Sequence, residues 1–278
     1  MNGNGYPLRL GPCGGRRASR IAFLVGAGLA LALRAAAGPP FLTDDPEPVP
    51  YRHWEAYLFT TVDSFLGGAT GQFPALEFNY GAAPDLQVHV AVPWAFNRPS
   101  DGASAAGFGD ASFGFKFRFL QETEDRPQVG VFPMVFLATG AAGRGLGGGG
   151  SVIQLPVWAQ ESWGPWTTYG GGGYAINRTL GGRSYPFGGW LLQRDLGEKV
   201  TLGGEVFTQG RSGDASPGTT VLNAGGQANL TPHCSLLFSL GHSVSGARHR
   251  IAYLGLYWTW GPRGAAVQSA LRADEKLP

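Results

Sequence analysis

Asp110-Ala-Ser-Phe-Gly-Phe-Lys-Phe-Arg-Phe-Leu120 alternates with a period of two. Ala111, Phe113, Phe115, Phe117 and Phe119 fall on one face; Asp110, Ser112, Gly114, Lys116 and Arg118 fall on the other. A helix would mix the two sets, whereas a strand separates them. A face of phenylalanines backed by a face of charges is the pattern of a wall between lipid and water.

Twelve segments with this character follow one another, at roughly 53–63, 73–80, 86–96, 110–121, 128–139, 151–161, 166–177, 186–194, 200–209, 219–230, 234–244 and 250–260. Most have the ~9–11 residues that a tilted strand needs to cross a bilayer. The gaps alternate in length. Those at 64–72, 97–109, 140–150, 178–185, 210–218 and 245–249 are mostly long; those at 81–85, 122–127, 162–165, 195–199 and 231–233 are short. Long loops outside and short periplasmic turns are the habit of outer-membrane barrels. The short gaps carry turn residues, among them Ala83-Pro84-Asp85 and Trp163-Gly164-Pro165. Tryptophans near strand ends, such as Trp54, Trp94, Trp166 and Trp260, suit the two water–lipid boundaries. The expected fold is therefore all-β, an antiparallel transmembrane β-barrel of about 12 strands over 53–260. A soluble β-sandwich would explain the alternation but not the loop rhythm.

Composition agrees. Charged residues are 14% of the chain and hydrophobic ones 43%, while glycine makes up 46 of 278 residues. So much glycine disfavours a helical domain, at ~1 kcal/mol per helix position relative to alanine. Residues 1–37 read as a signal peptide: arginines up to Arg20, an uncharged core Ile21–Leu33, then Ala35-Ala36-Ala37 before Gly38. They hold five arginines and no acid. Of 21 Lys and Arg, 16 remain beyond the leader against 19 acids, a net charge of −3. A nucleic-acid role, which wants a basic domain, is disfavoured. Cys13 lies in the leader, so Cys234 has no disulfide partner in the mature chain. Residues 38–52 are expected as a periplasmic N-terminal segment and 261–278 as a periplasmic C-terminal tail. The acids Asp44, Asp45 and Glu47, set among prolines, read as a solvated stretch rather than a metal site.

Gly38-Pro-Pro-Phe-Leu-Thr-Asp-Asp-Pro-Glu-Pro-Val49, His53-Trp54-Glu55, Leu76–Gly81, Pro84–His89, Gly107–Asp110 and Leu155–Trp158, in this order and spacing, resemble the outer-membrane protein family named after the meta-pathway of phenol degradation. The resemblance covers nearly all of the chain after the leader. It implies an outer-membrane location and a loose association with aromatic catabolism. It brings no catalytic residues.

Sequence motifs for catalysis are weak. Gly143–Gly148 fits G-x-G-x-x-G but precedes a strand rather than a helix. Gly241-His-Ser-Val-Ser245 lacks the last glycine of a nucleophile elbow. The five histidines lack zinc-site spacing. No enzyme activity, metal or cofactor is expected. Candidate lumen-lining residues, taken from the polar parity of each strand, are Glu55, Glu77, His89, Asp110, Lys116, Arg118, Glu205, Asn223 and Gln227. Lys116 and Arg118 are expected to point inward together and to pair with Glu55, Glu77 or Glu205. The expected function is a passive channel for small solutes, aromatic or hydrophobic ones included. The alternatives are an outer-membrane enzyme acting on lipid or peptide, or a plugged structural barrel. Expected partners are outer-membrane lipid and lipopolysaccharide, the barrel-assembly machinery and the solute.

Overall fold

A computed structural model of the chain describes residues 39–262 apart from Leu180 and 214–216. The expected signal peptide and nearly all of the expected C-terminal tail lie outside the described residues. The strands are β1 Trp54–Phe65, β2 Gly68–Ala83, β3 Leu86–Pro99, β4 Ala105–Phe108, β5 Ser112–Leu120, β6 Gln128–Val131, β7 Met134–Phe136, β8 Val152–Trp163, β9 Trp166–Asn177, β10 Tyr185–Asp195, β11 Val200–Gln209, β12 Thr219–Thr231, β13 Cys234–Ser245 and β14 His249–Trp260. A short 3-10 turn, Ala142–Arg144, sits between β7 and β8.

The strands form a closed barrel. β3 pairs with β2 on one side and with β4 and β5 on the other. β6 and β7 both pair between β5 and β8. Thus β4 with β5, and β6 with β7, are single wall strands interrupted once, and the wall has the twelve strands expected. The break between β6 and β7 falls at Phe132-Pro133, where proline has no N–H to give the ladder. The first and last strands close the ring in antiparallel register, from Trp54↔Trp260 to Phe65↔His249. Closure leaves no sheet edge to satisfy, which is what makes a barrel admissible in lipid.

Strand alternation reads as expected. On β5, Phe113, Phe115, Phe117 and Phe119 are 42–55% exposed on the outer face, while Lys116 is 4% exposed on the inner one. Leu58, Val92, Leu155, Leu202, Leu222 and Leu254 continue the outer apolar face on other strands. A belt this extensive is a liability in water and a stable face in lipid.

Two expectations need correction. Two gaps expected to be long, at the end away from Trp54 and Trp260, are short: β1 and β2 join through 66–67, and β3 and β4 through 100–104; the gap between β13 and β14, 246–248, is short as expected. Pairing continues there through Asp63↔Thr70 and Phe65↔Gly68. Those residues lack hydrophobic alternation; besides the backbone ladder, Asp63 pairs with His249 Nδ1 at 2.8 Å and the Phe65 and His249 rings lie 6.0 Å apart. Longer connections at that end, 137–151, 178–184 and 210–218, remain. The second correction concerns 38–52. Its described part does not lie outside the barrel: Thr43, Asp45, Pro46 and Val49 are buried within it.

Candidate functional site

Twelve strands enclose more volume than side chains readily fill. The N-terminal segment takes up part of it. Inward-facing positions without side chains make room: a Cβ on Gly189 would fall 2.1 Å from Thr43 Oγ1, on Gly130 3.1 Å from Pro46, and on Gly81 2.1 Å from the Pro50 carbonyl oxygen.

Among the described residues the segment meets a strand only at its end, where Tyr51 bridges Gly81 of β2 and the Arg52 amide donates to the Gly81 carbonyl at 2.7 Å, so the backbone polar groups before it need other partners. Pro39, Pro40, Pro46, Pro48 and Pro50 have no N–H to satisfy. The amides of Leu42 (3.1 Å) and Thr43 donate to the Glu205 carboxylate. The Val49 N–H donates to Gln87 Oε1 at 2.9 Å, and the Asp45 and Glu47 amides donate to Asp44 and Asp45 carboxylates. Ser239 Oγ donates to the Pro40 carbonyl at 2.7 Å. Gln160 Nε2 reaches Glu47 Oε2 at 3.4 Å.

Charge fixes the middle of the segment. Lys116 Nζ lies 2.9 Å from Asp44 Oδ1 and 3.3 Å from Asp45 Oδ1, with the Phe132 ring centroid 5.1 Å away. Asp45 is fully buried and Asp44 and Glu47 are half-buried, so the acidic stretch is not a freely solvated one. The expected partners of the two cations were therefore wrong. Lys116 takes the segment's aspartates, and Arg118 takes Asp85 of the β2–β3 turn, at 2.7 Å, and Gln128 Oε1, at 3.0 Å.

The expected acids do other work. Glu55 accepts from Tyr57 and Tyr257 hydroxyls at 3.1 and 2.7 Å. Glu77 accepts from Asn79 Nδ2 at 2.9 Å and lies 3.4 Å from His89 Nδ1; His89 Nε2 lies 3.2 Å from Ser112 Oγ. Asn223 donates to Glu205 at 3.1 Å, beside the seated segment. Gln227 joins a separate group with Asn229, which also receives the Ser235 hydroxyl. Asp110 stands toward the other end, where its carboxylate accepts from Gly140 and Gly148 amides at 2.8 and 2.7 Å and ties down the 137–151 connection.

Beyond the segment, away from the chain termini, the interior is open. A cavity of about 660 Å³ is lined by Pro40, Phe41, Phe59, Phe96, Phe136, Leu146 and Tyr253. A neighbouring one of about 230 Å³ shares Phe41, Phe59 and Phe136 and adds His89, Phe132 and Met134. The Tyr253 hydroxyl and Asn223 Oδ1 are buried without a partner, and both residues line the larger cavity. Sequence parity brings out the inward polar residues but not this aromatic chamber, because Phe41 comes from the segment and Phe132 and Phe136 from the interrupted strand.

An outer-membrane channel from Pseudomonas putida F1 superposes with a TM-score of 0.61 at 13% identity, covering 78% of this chain and 98% of that one. The fold is that of outer-membrane β-barrels. The KdgM porin, solved with disordered oligogalacturonate, superposes with a TM-score of 0.53 at 7% identity over 74% of this chain and 99% of that one. The NanC porin gives 0.53 and 7%, over 73% and 98%. No sequence-family model and no curated protein matches the chain.

Proposed function

We propose that the chain is an outer-membrane channel for small, mainly apolar solutes that carry a hydrogen-bonding group. The observation that carries this is the pair of adjoining cavities whose walls set the rings of Phe41, Phe59, Phe96, Phe132 and Phe136 beside a smaller number of polar side chains, Thr61, Gln72 and Asp110 among them. Apolar pockets with a few placed polar atoms suit small organic ligands. A water-filled pore would want a polar lining along its whole length. The resemblance of the N-terminal and strand segments to the phenol meta-pathway family supports the same solute class. The short-turn end, with Trp54 and Trp260, faces the periplasm, and the connections 137–151, 178–184 and 210–218 face out.

The buried segment favours a second reading, a closed structural barrel, because it fills the periplasmic half of the lumen. Uptake separates the two. Intact cells with and without the barrel are given a radiolabelled monoaromatic alcohol or a disaccharide. The channel accelerates uptake of the aromatic alone. Equal rates with and without the barrel support the closed barrel, and acceleration of the disaccharide contradicts the apolar solute class.

A further inference from the structure

On the outer face of β13, β14 and β1, the register aligns side chains in rows. Leu236, Leu256 and Leu58 share one row, and Leu240, Ala252 and Val62 another. The next row, at the end away from the termini, is His242, Arg250 and Ser64. Arg248 stands beside it in the connecting turn. His242, Arg248 and Arg250 are exposed, and these residues with Leu240 line a surface groove of about 790 Å³.

Height places this row. Trp54 and Trp260 stack at 6.2 Å between centroids and mark the other boundary of the apolar belt. From Trp54 to Ser64 the strand advances ten residues, about 34 Å at ~3.4 Å each, or roughly 24 Å of height at a ~45° tilt. That matches the ~25 Å apolar band of such barrels. The cations therefore stand at the level of lipid headgroups, directly above apolar side chains.

Among the described residues neither guanidinium has an acidic partner. Asp63 is engaged by His249 at 2.8 Å, and two guanidinium groups and an imidazole at a lipid boundary, without an anionic partner among the described residues, suit an anion supplied by the lipid. Arginine binds phosphate through paired N–H groups. We infer that this groove binds the phosphorylated headgroup of an outer-leaflet glycolipid of the lipid A kind, its acyl chains lying on the Leu240 and Leu58 rows. The inference rests on the orientation proposed above.

The test uses the purified barrel in detergent and native mass spectrometry with three probes: bisphosphorylated lipid A, its dephosphorylated form and phosphatidylglycerol. The wild type retains bisphosphorylated lipid A at least tenfold better than either other probe. The double variant Arg248→Ser with Arg250→Ser loses that preference by tenfold or more and keeps wild-type heat-modifiable migration, since these side chains lie outside the lumenal network. Arg194→Ser, whose guanidinium lies 5.1 Å from the Trp166 ring centroid near the opposite end, retains the lipid. Equal binding by the wild type and the double variant overturns the site, as does equal retention of phosphatidylglycerol by the wild type. Orientation is read separately by a membrane-impermeant thiol reagent on intact cells carrying Ala247→Cys in a Cys234→Ser background. A labelled cysteine with unchanged lipid A binding in the double variant overturns the site and leaves the orientation standing.

Discussion

The two halves of the barrel interior are built on opposite principles. The half nearer the chain termini is polar and filled: the N-terminal segment is held by Lys116, Glu205, Gln87 and Ser239. The other half is richer in aromatic side chains, with Phe59, Phe96, Phe136 and Tyr253 around a cavity of about 660 Å³. The same parity rule generates both, since each strand sends alternate residues inward. The difference comes from what those residues meet. Where a second piece of chain is present, the buried Lys116 ammonium and the Glu205 carboxylate find their partners on it. Where none is, rings make up much of the wall, and charged side chains there such as Asp110 and Asp63 turn to the connecting backbone or to His249. A single closed sheet can thus hold a fixed polar seal and an adaptable apolar chamber in series.

Substitutions at the seal should have the largest effects. Lys116→Met leaves Asp44 and Asp45 without their cation, and breaking a buried pair in this way costs about 3–5 kcal/mol. The seal should loosen, so that a thiol placed at the fully buried Thr43→Cys becomes reactive in the Lys116→Met protein and stays protected alongside Lys116. Equal protection in both would mean that packing, not charge, seats the segment. Phe115→Arg examines the wall that both halves share. A cation facing lipid near the midplane costs roughly 2–4 kcal/mol, and heat-modifiable migration should be lost. Migration like the wild type would show that β5 presents its phenylalanines elsewhere.

Smaller effects sharpen the contrast. Glu205→Gln replaces the charged acceptor of two amides with a neutral one. Hydrogen bonds to charged groups contribute about 1.5–3 kcal/mol, and part of that is lost, which a denaturant titration of the detergent-solubilised barrel would read. Tyr253→Phe removes a hydroxyl without a protein partner, so barrel stability should change by less than about 1 kcal/mol. Titration with a monoaromatic alcohol should nonetheless weaken. Unchanged affinity would take Tyr253 out of the chamber's function.

The sequence made the wall legible and the seal illegible, for a physical reason. Phe113 to Phe119 state their environment locally, because lipid on one side and polar atoms on the other impose a period of two. Residues 39–50 have no period. Their burial depends on Lys116, 72 residues from Asp44, and on Glu205, 162 residues from Thr43. Prolines and three acids read locally as a solvated stretch, and the same prolines are what allow a lone chain to lie buried with few amides to satisfy. A signal was present in the inward-parity glycines Gly81, Gly130 and Gly189, which leave a slot along the wall. Lys116, Glu77, His89 and Asn223 are buried on the polar parity of their strands, but parity carries no height and no partner. Hence Lys116 and Arg118, two residues apart, end in different networks.

Conductance measures the central claim most directly. The barrel lacking residues 39–49 and the full mature barrel are each inserted into planar bilayers under the same salt. If the segment seals the polar half, the truncated barrel still inserts and its single-channel conductance rises at least severalfold over that of the full chain. Equal conductance from two correctly inserted barrels would contradict the account, because the segment would then not be what closes the lumen.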